Sequence, residues 1–176
     1  MLVLDHIDVD GGGNPRVEVD DHVPVTVELA HRDRAHTVYW RAKPSPRTLL
    51  DVGVSSETDR LRSVTLTAIE ATSVVVVNHE LWGVEAEATE GVPCFDLSRW
   101  ETTEEFTGRF VDEDVDVRLV VADGRCSLEF GPTAVPDSFA RVGNVQCAFD
   151  ADRSLVRIDV QSLDHEQVDT LQGLLG

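Results

Sequence analysis

The stretch Val115-Asp116-Val117-Arg118-Leu119-Val120-Val121-Ala122-Asp123-Gly124-Arg125-Cys126-Ser127-Leu128-Glu129-Phe130 decides the fold class. Val115, Val117, Leu119 and Val121 alternate with Asp116, Arg118 and Val120, and Cys126, Leu128 and Phe130 alternate with Ser127 and Glu129. A period of two belongs to the strand, whose side chains point alternately to opposite faces. Asp123-Gly124 stands between the two runs, and this dipeptide reaches the positive φ that a tight hairpin turn needs. The stretch is predicted to be a β-hairpin.

The same grammar recurs on both sides of it. Leu50, Val52 and Val54 alternate, residues 55–59 turn the chain, and Leu61-Arg62-Ser63-Val64-Thr65-Leu66-Thr67 returns. Val145, Cys147 and Phe149 lead into Asp150-Ala151-Asp152-Arg153-Ser154 and back along Leu155 to Val160. Further strands are expected at Leu2–Val9, Arg16–Val19, Pro24–Leu29, Thr37–Arg41, Val74–Asn78 and Thr107–Val111. Gly11-Gly12-Gly13-Asn14-Pro15 opens no helix, so it is a turn and not a phosphate loop.

One helix is written at the C-terminal end. Asp164 is a good N-cap, Gln167 completes a capping box, Leu163 and Val168 are spaced as a hydrophobic staple, and Val168, Leu171 and Leu175 form a stripe. A second helix is expected from Ser98, with Glu101 as its box partner, over Arg99–Phe106. No Pro/Gly/Ser-rich linker divides the chain. The prediction is a single domain over residues 1–176, mainly β (α+β): an antiparallel β-sandwich or curled sheet built of hairpins, with a C-terminal helix.

Charge narrows the function classes. Asp and Glu number 33 against 15 Lys and Arg, a formal net charge of -18. That balance disfavours nucleic acid, whose binders need cations to release counterions, and disfavours anionic membranes. The charge is also unevenly laid out. Residues 79–116 hold 12 carboxylates against Arg99 and Arg109, whereas residues 30–47 hold Arg32, Arg34, Arg41, Lys43 and Arg47 against Asp33 alone. No apolar run reaches the length of a membrane span, and the first residues do not read as a signal peptide.

Chemical motifs are sparse. There is no G-x-S-x-G elbow, and none of His6, His22, His31, His36, His79 and His165 belongs to an H-E-x-x-H helix. Asp112-Glu113-Asp114-Val115-Asp116 and Asp150-Ala151-Asp152-Arg153-Ser154 imitate calcium loops, but both lack the turn glycine. No metal or other cofactor is expected. Cys126 and Cys147 fall within strand alternation as small hydrophobes, while Cys94 follows Pro93 in a loop-like stretch. Three cysteines without a C-x-x-C pair fit a reducing compartment, so a cytoplasmic location is expected.

Leu49-Leu50-Asp51-Val52-Gly53-Val54, Leu61-Arg62-Ser63-Val64-Thr65-Leu66, Gly91-Val92-Pro93-Cys94-Phe95-Asp96 and Val145-Gln146-Cys147-Ala148-Phe149-Asp150 resemble, in that order, a family of small uncharacterised acidic proteins of Gram-positive bacteria. The resemblance covers roughly residues 45–175. It implies Gly at position 59 and again near 154, where this chain has Asp59 and Ser154. In size and acidity the chain also resembles, by analogy, immunity proteins that neutralise cationic toxins.

These observations point away from an enzyme and towards a protein-binding module. The expected contact surface is an acidic face formed by Glu101, Glu104, Glu105, Asp112, Glu113, Asp114 and Asp116, and the expected partner is a basic, toxin-like protein. The alternatives are a self-assembling structural protein, and a ligand-binding protein or enzyme whose site is assembled from distant residues.

Overall fold

The computed structural model describes residues 1–11, 13–30, 34–77, 87–100, 109–132 and 134–175. The chain is mainly β, with two large sheets, a small two-stranded sheet and a C-terminal helix. The first large sheet contains β2 (Arg16–Glu18), β3 (Val25–Glu28), β4 (Thr37–Ser45), β5 (Thr48–Ser55), β6 (Leu61–Ala68) and β10 (Phe110–Glu113), in the order β10-β4-β5-β6-β3-β2. The second contains β7 (Val74–Val76), β8 (Thr89–Glu90), β11 (Val117–Ala122), β12 (Arg125–Phe130), β13 (Ser138–Val142), β14 (Val145–Phe149) and β15 (Leu155–Gln161), in the order β7-β11-β12-β15-β14-β13-β8. β1 (Leu4–Asp8) pairs with β9 (Val92–Phe95).

Register explains why the two sheets stack. Trp40, Val52, Val64 and Val27 stand opposite one another across β4, β5, β6 and β3, and Ala42, Leu50, Leu66 and Val25 form the next row. In the second sheet Leu119, Leu128, Ile158, Cys147 and Ala140 make one apolar row, and Val121, Cys126, Val160, Val145 and Val142 make another. All of these side chains are buried in one continuous core. Trp40 meets Phe130 edge to face at 5.7 Å, which joins the two sheets in a sandwich.

All three predicted hairpins form, and Gly124 takes φ +70° in the first of them. The small sheet laces one end of the sandwich. Phe95 N–H donates to Asp59 O at 2.8 Å and Leu155 N–H donates to Leu2 O at 2.8 Å, which ties β9 to the β5–β6 turn and the start of the chain to β15. The helix, α1 (His165–Gly173), has the expected capping box, and it buries Val168 and Leu171.

The structure corrects several sequence expectations. Leu175 is exposed, because the helix ends at Gly173 before the stripe reaches it. Ser98 lies inside a short turn, and most of the helix expected over Arg99–Phe106 lies outside the described residues. Asp96 caps that 3-10 turn over Leu97–Arg99, its carboxylate accepting the Ser98 N–H at 3.0 Å. Cys94 lies in no loop but is buried in β9, opposite His6. β9, β8 and the β13–β14 hairpin are additional to the strands expected from the sequence, although Gly143-Asn144 is a turn signal for that hairpin. The edge pairings of β10 with β4, β7 with β11 and β8 with β13 are parallel. Among the described residues, no helix is long and apolar enough to cross a membrane.

Asp59 adopts φ +56° and Arg153 adopts φ +62°, the left-handed region that disfavours L side chains. Burial pushes the Asp59 carboxyl pKa up, and neighbouring Asp5 and Asp96 push it further, against a smaller opposing effect of His6. Among the described residues, the turn uses the backbone of Asp59, through its N–H to Ser55 O at 3.0 Å and its C=O to Phe95 N–H. Asp59→Gly keeps both bonds. It is expected to gain about 0.5–1 kcal/mol, the relief of strain being partly offset by a more disordered unfolded chain. The urea midpoint at neutral pH checks this, and a loss of stability would show that the side chain holds the turn.

Candidate functional site

The expected acidic face centres on β10 and the connection to β11. β10 lies parallel to β4, which puts Phe110 opposite Tyr39 and Asp112 opposite Arg41. Arg41 donates two hydrogen bonds to Asp112, from Nε to Oδ1 at 2.5 Å and from Nη2 to Oδ2 at 2.9 Å. Its guanidinium also lies 4.1 Å from the centre of the Phe110 ring, which stacks on Tyr39 at 5.3 Å. A two-pronged carboxylate bond and a ring contact are what the planar guanidinium favours.

This geometry decides how the charge blocks sit in space. The basic and acidic segments are far apart in sequence, but β4 and β10 lie side by side. Asp112 is therefore clamped by an internal cation. Glu113, half-buried, pairs with the Met1 ammonium. Asp114 and Asp116 are exposed, and among the described residues their carboxylates have no partner. Glu101, Glu104 and Glu105 lie outside the described residues.

The row continues past Arg41. Asp51, on β5, stands directly opposite Arg41 on the side away from Asp112. It is half-buried, and its Oδ1 has no hydrogen-bond partner among the described residues. Burial pushes its pKa up. Arg41 opposes that shift, and Asp112 adds to it.

Asp116 also lines an open cleft of about 580 Å³ where the ends of the two sheets meet. Glu70 lines the same cleft, with one oxygen accepting the Ser45 hydroxyl at 2.8 Å and its N–H donating to Thr48 Oγ1 at 3.2 Å. Arg118, at the same cleft, reaches Glu129 at 3.2 Å. The lining is mostly polar, which suits a charged or hydroxylated group better than an apolar ligand.

The other candidates resolve as structure. Burial pushes Cys94 up to about 11, and Cys126 and Cys147 each up to about 12, so all three stay as thiols at neutral pH. Asp150 accepts the N–H groups of Asp152 and Ser154 at 3.0 and 2.8 Å, so the second calcium-loop imitation is a hairpin turn. His22 pairs with Asp21 at 2.6 Å in an exposed group with Asp20, and His165 pairs with Asp169 at 3.3 Å along the helix. Of the three tryptophans, residues of the kind that line ligand grooves, Trp40 is core, Trp100 packs half-buried against the core, and Trp82 lies outside the described residues.

Two buried polar groups gave no sequence signal. Arg62, which is 5% exposed, donates to Ala35 O at 2.7 Å and to Thr37 Oγ1 at 3.0 Å. Ser127 and Asp159 bond to each other on the outer face of the second sheet, and Arg157 Nε–H reaches Asp159 Oδ2 at 3.0 Å. Both residues occupy outward positions of alternating strands, which read as solvent-facing until the tertiary structure covers them.

No protein-family model matches the chain, and a search of curated proteins finds no match. The functional reading therefore rests on the residues and their geometry.

Proposed function

We propose that the chain is a non-catalytic protein-binding module that masks a basic surface of a partner protein, in the manner of an immunity-type protein. One observation carries the reading: Asp114 and Asp116, exposed and without an internal partner among the described residues, stand together at the end of β10. Asp116 adds a polar cleft to the contact area, with Glu70 facing the same space. A net charge of -18 draws a cationic partner in and speeds encounter. Asp112 contributes less than its position in sequence implies, because a partner must compete with Arg41 for it. Glu101, Glu104 and Glu105, assigned to the same contact from the sequence, lie outside the described residues.

The test is affinity capture from the source lysate at low and high salt, with bound proteins identified by mass. The unmodified chain is compared with Asp114→Lys/Asp116→Lys. The expected result is one basic protein held at low salt and weakened at high salt. The double variant should bind it about 10- to 100-fold more weakly, the cost of replacing close attraction with repulsion. Asp112→Asn should cost less than the double variant. Equal capture by the unmodified chain and the double variant would remove the acidic face from the contact.

A further inference from the structure

We propose that Arg41 is a shared clamp between Asp112 and Asp51, and that the charge on Asp51 sets how firmly β10 is held to the sheet. The inference rests on the reading above, because β10 leads into the residues that present Asp114 and Asp116.

The argument starts from the cross-strand row Asp112–Arg41–Asp51, with one cation standing between two carboxyls. Opposite residues on paired strands have Cβ atoms about 4.5–5.5 Å apart, within reach of a long side chain. Arg41 spends both prongs on Asp112, and the Asp51 Oδ1 is left without a hydrogen-bond donor. Among the described residues, β10 pairs in the sheet with β4 alone, through four paired residues, the Arg41–Asp112 bonds and the Tyr39–Phe110–Arg41 stack, and the Met1 ammonium holds its last residue, Glu113.

Among the described residues, the groups facing Asp51 are few. β4 supplies Arg41, with Tyr39 and Lys43 further along the same strand, and β10 supplies Asp112. β6 supplies only Thr65 directly opposite, with Ser63 beside it. A neutral Asp51 leaves Arg41 to Asp112. An ionised Asp51 attracts the same guanidinium and repels Asp112, and both effects loosen the clamp. Burial favours the neutral form of Asp51, so its pKa is raised from the ordinary 3.8, against the opposing effect of Arg41.

The experiment is amide hydrogen exchange by NMR on the whole chain, with no partner present, at pH 4, near the ordinary carboxyl value, and at pH 8, after correction for the intrinsic pH dependence of exchange. In the unmodified protein the amides of Val111 and Glu113, the two in this strand that face β4, should lose about threefold to fivefold in protection at the higher pH, the scale of an exposed ion pair. Asp51→Asn should remove that pH dependence. Arg41→Met should lower protection at both pH values, and retained exchange protection in β5 and β6 would show that the sheet is intact. Unchanged pH dependence in Asp51→Asn, or none in the unmodified protein, would overturn the inference. Because no partner is used, these outcomes are independent of partner capture. A failed capture with pH-dependent protection would count against the proposed function alone.

Discussion

Trp40→Ala is expected to destabilise the protein by about 3–5 kcal/mol, a large share of the stability of a domain of this size. Trp40 is fully buried in β4 and lies in the row Trp40–Val52–Val64–Val27. Its edge-to-face contact with Phe130 joins the two sheets. Truncation removes apolar contact on both layers and opens a cavity that paired strands cannot collapse to fill. Trp40→Phe separates the contributions. The indole N–H has no hydrogen-bond partner among the described residues, so its loss costs no hydrogen bond. Phenylalanine should therefore cost only about 1–1.5 kcal/mol, from lost volume. Urea unfolding of both variants checks this, and a cost below about 1 kcal/mol for Trp40→Ala would mean that the sheets do not meet at this residue.

Asp159→Ala is expected to cost about 2–3 kcal/mol. The Asp159 side chain is 5% exposed, and it accepts from Ser127 and Arg157. Arg157 can turn to water once its partner is gone, but Ser127 is fully buried and would be left unsatisfied. A second change, Ser127→Ala, should therefore recover much of the loss, which a double-mutant cycle would measure.

The same carboxyl gives a pH dependence. Burial pushes the Asp159 pKa up, and Arg157, Ser127 and Arg125 reverse only part of the shift. A carboxyl with a raised folded pKa binds its proton more tightly in the folded state. Its contribution to stability is complete below the unfolded value of 3.8 and is lost as pH rises through the folded value. Asp51 and Asp59 are shifted the same way by burial. Lowering the pH from 8 to 5 also relieves self-repulsion in an acidic chain. The melting temperature should therefore rise over that interval, by about 2–4 °C for each kcal/mol gained. The slope should be shallower in Asp159→Ala, and a melting temperature that falls steadily from pH 8 to 5 would show that these carboxyls are ionised in the fold.

The readable parts of the chain share a physical character. Val115–Phe130, Leu49–Ile69 and Val145–Val160 are hairpins because alternation and turn residues act within a few positions, where backbone sterics and side-chain direction decide alone. Asp164 and Gln167 mark a helix start for the same reason. The parallel edges obey no such local rule. Arg41 and Asp112 are 71 residues apart, and no turn announces their pairing. Cys94 looked loop-like because Pro93 precedes it, yet burial against β1 made the segment a strand.

The acidic face shows the same division. The size of the negative charge, its concentration in one segment and the basic block elsewhere can all be read from composition, since they are sums over residues. Which carboxylates are free depends on the packing of remote strands. That packing laid β10 against β4, clamped Asp112 with Arg41, paired Glu113 with Met1 and left Asp114 and Asp116 unpaired among the described residues. The reason is that charge counts are additive along a chain, whereas ion pairing depends on distances that arise only when remote strands share a sheet.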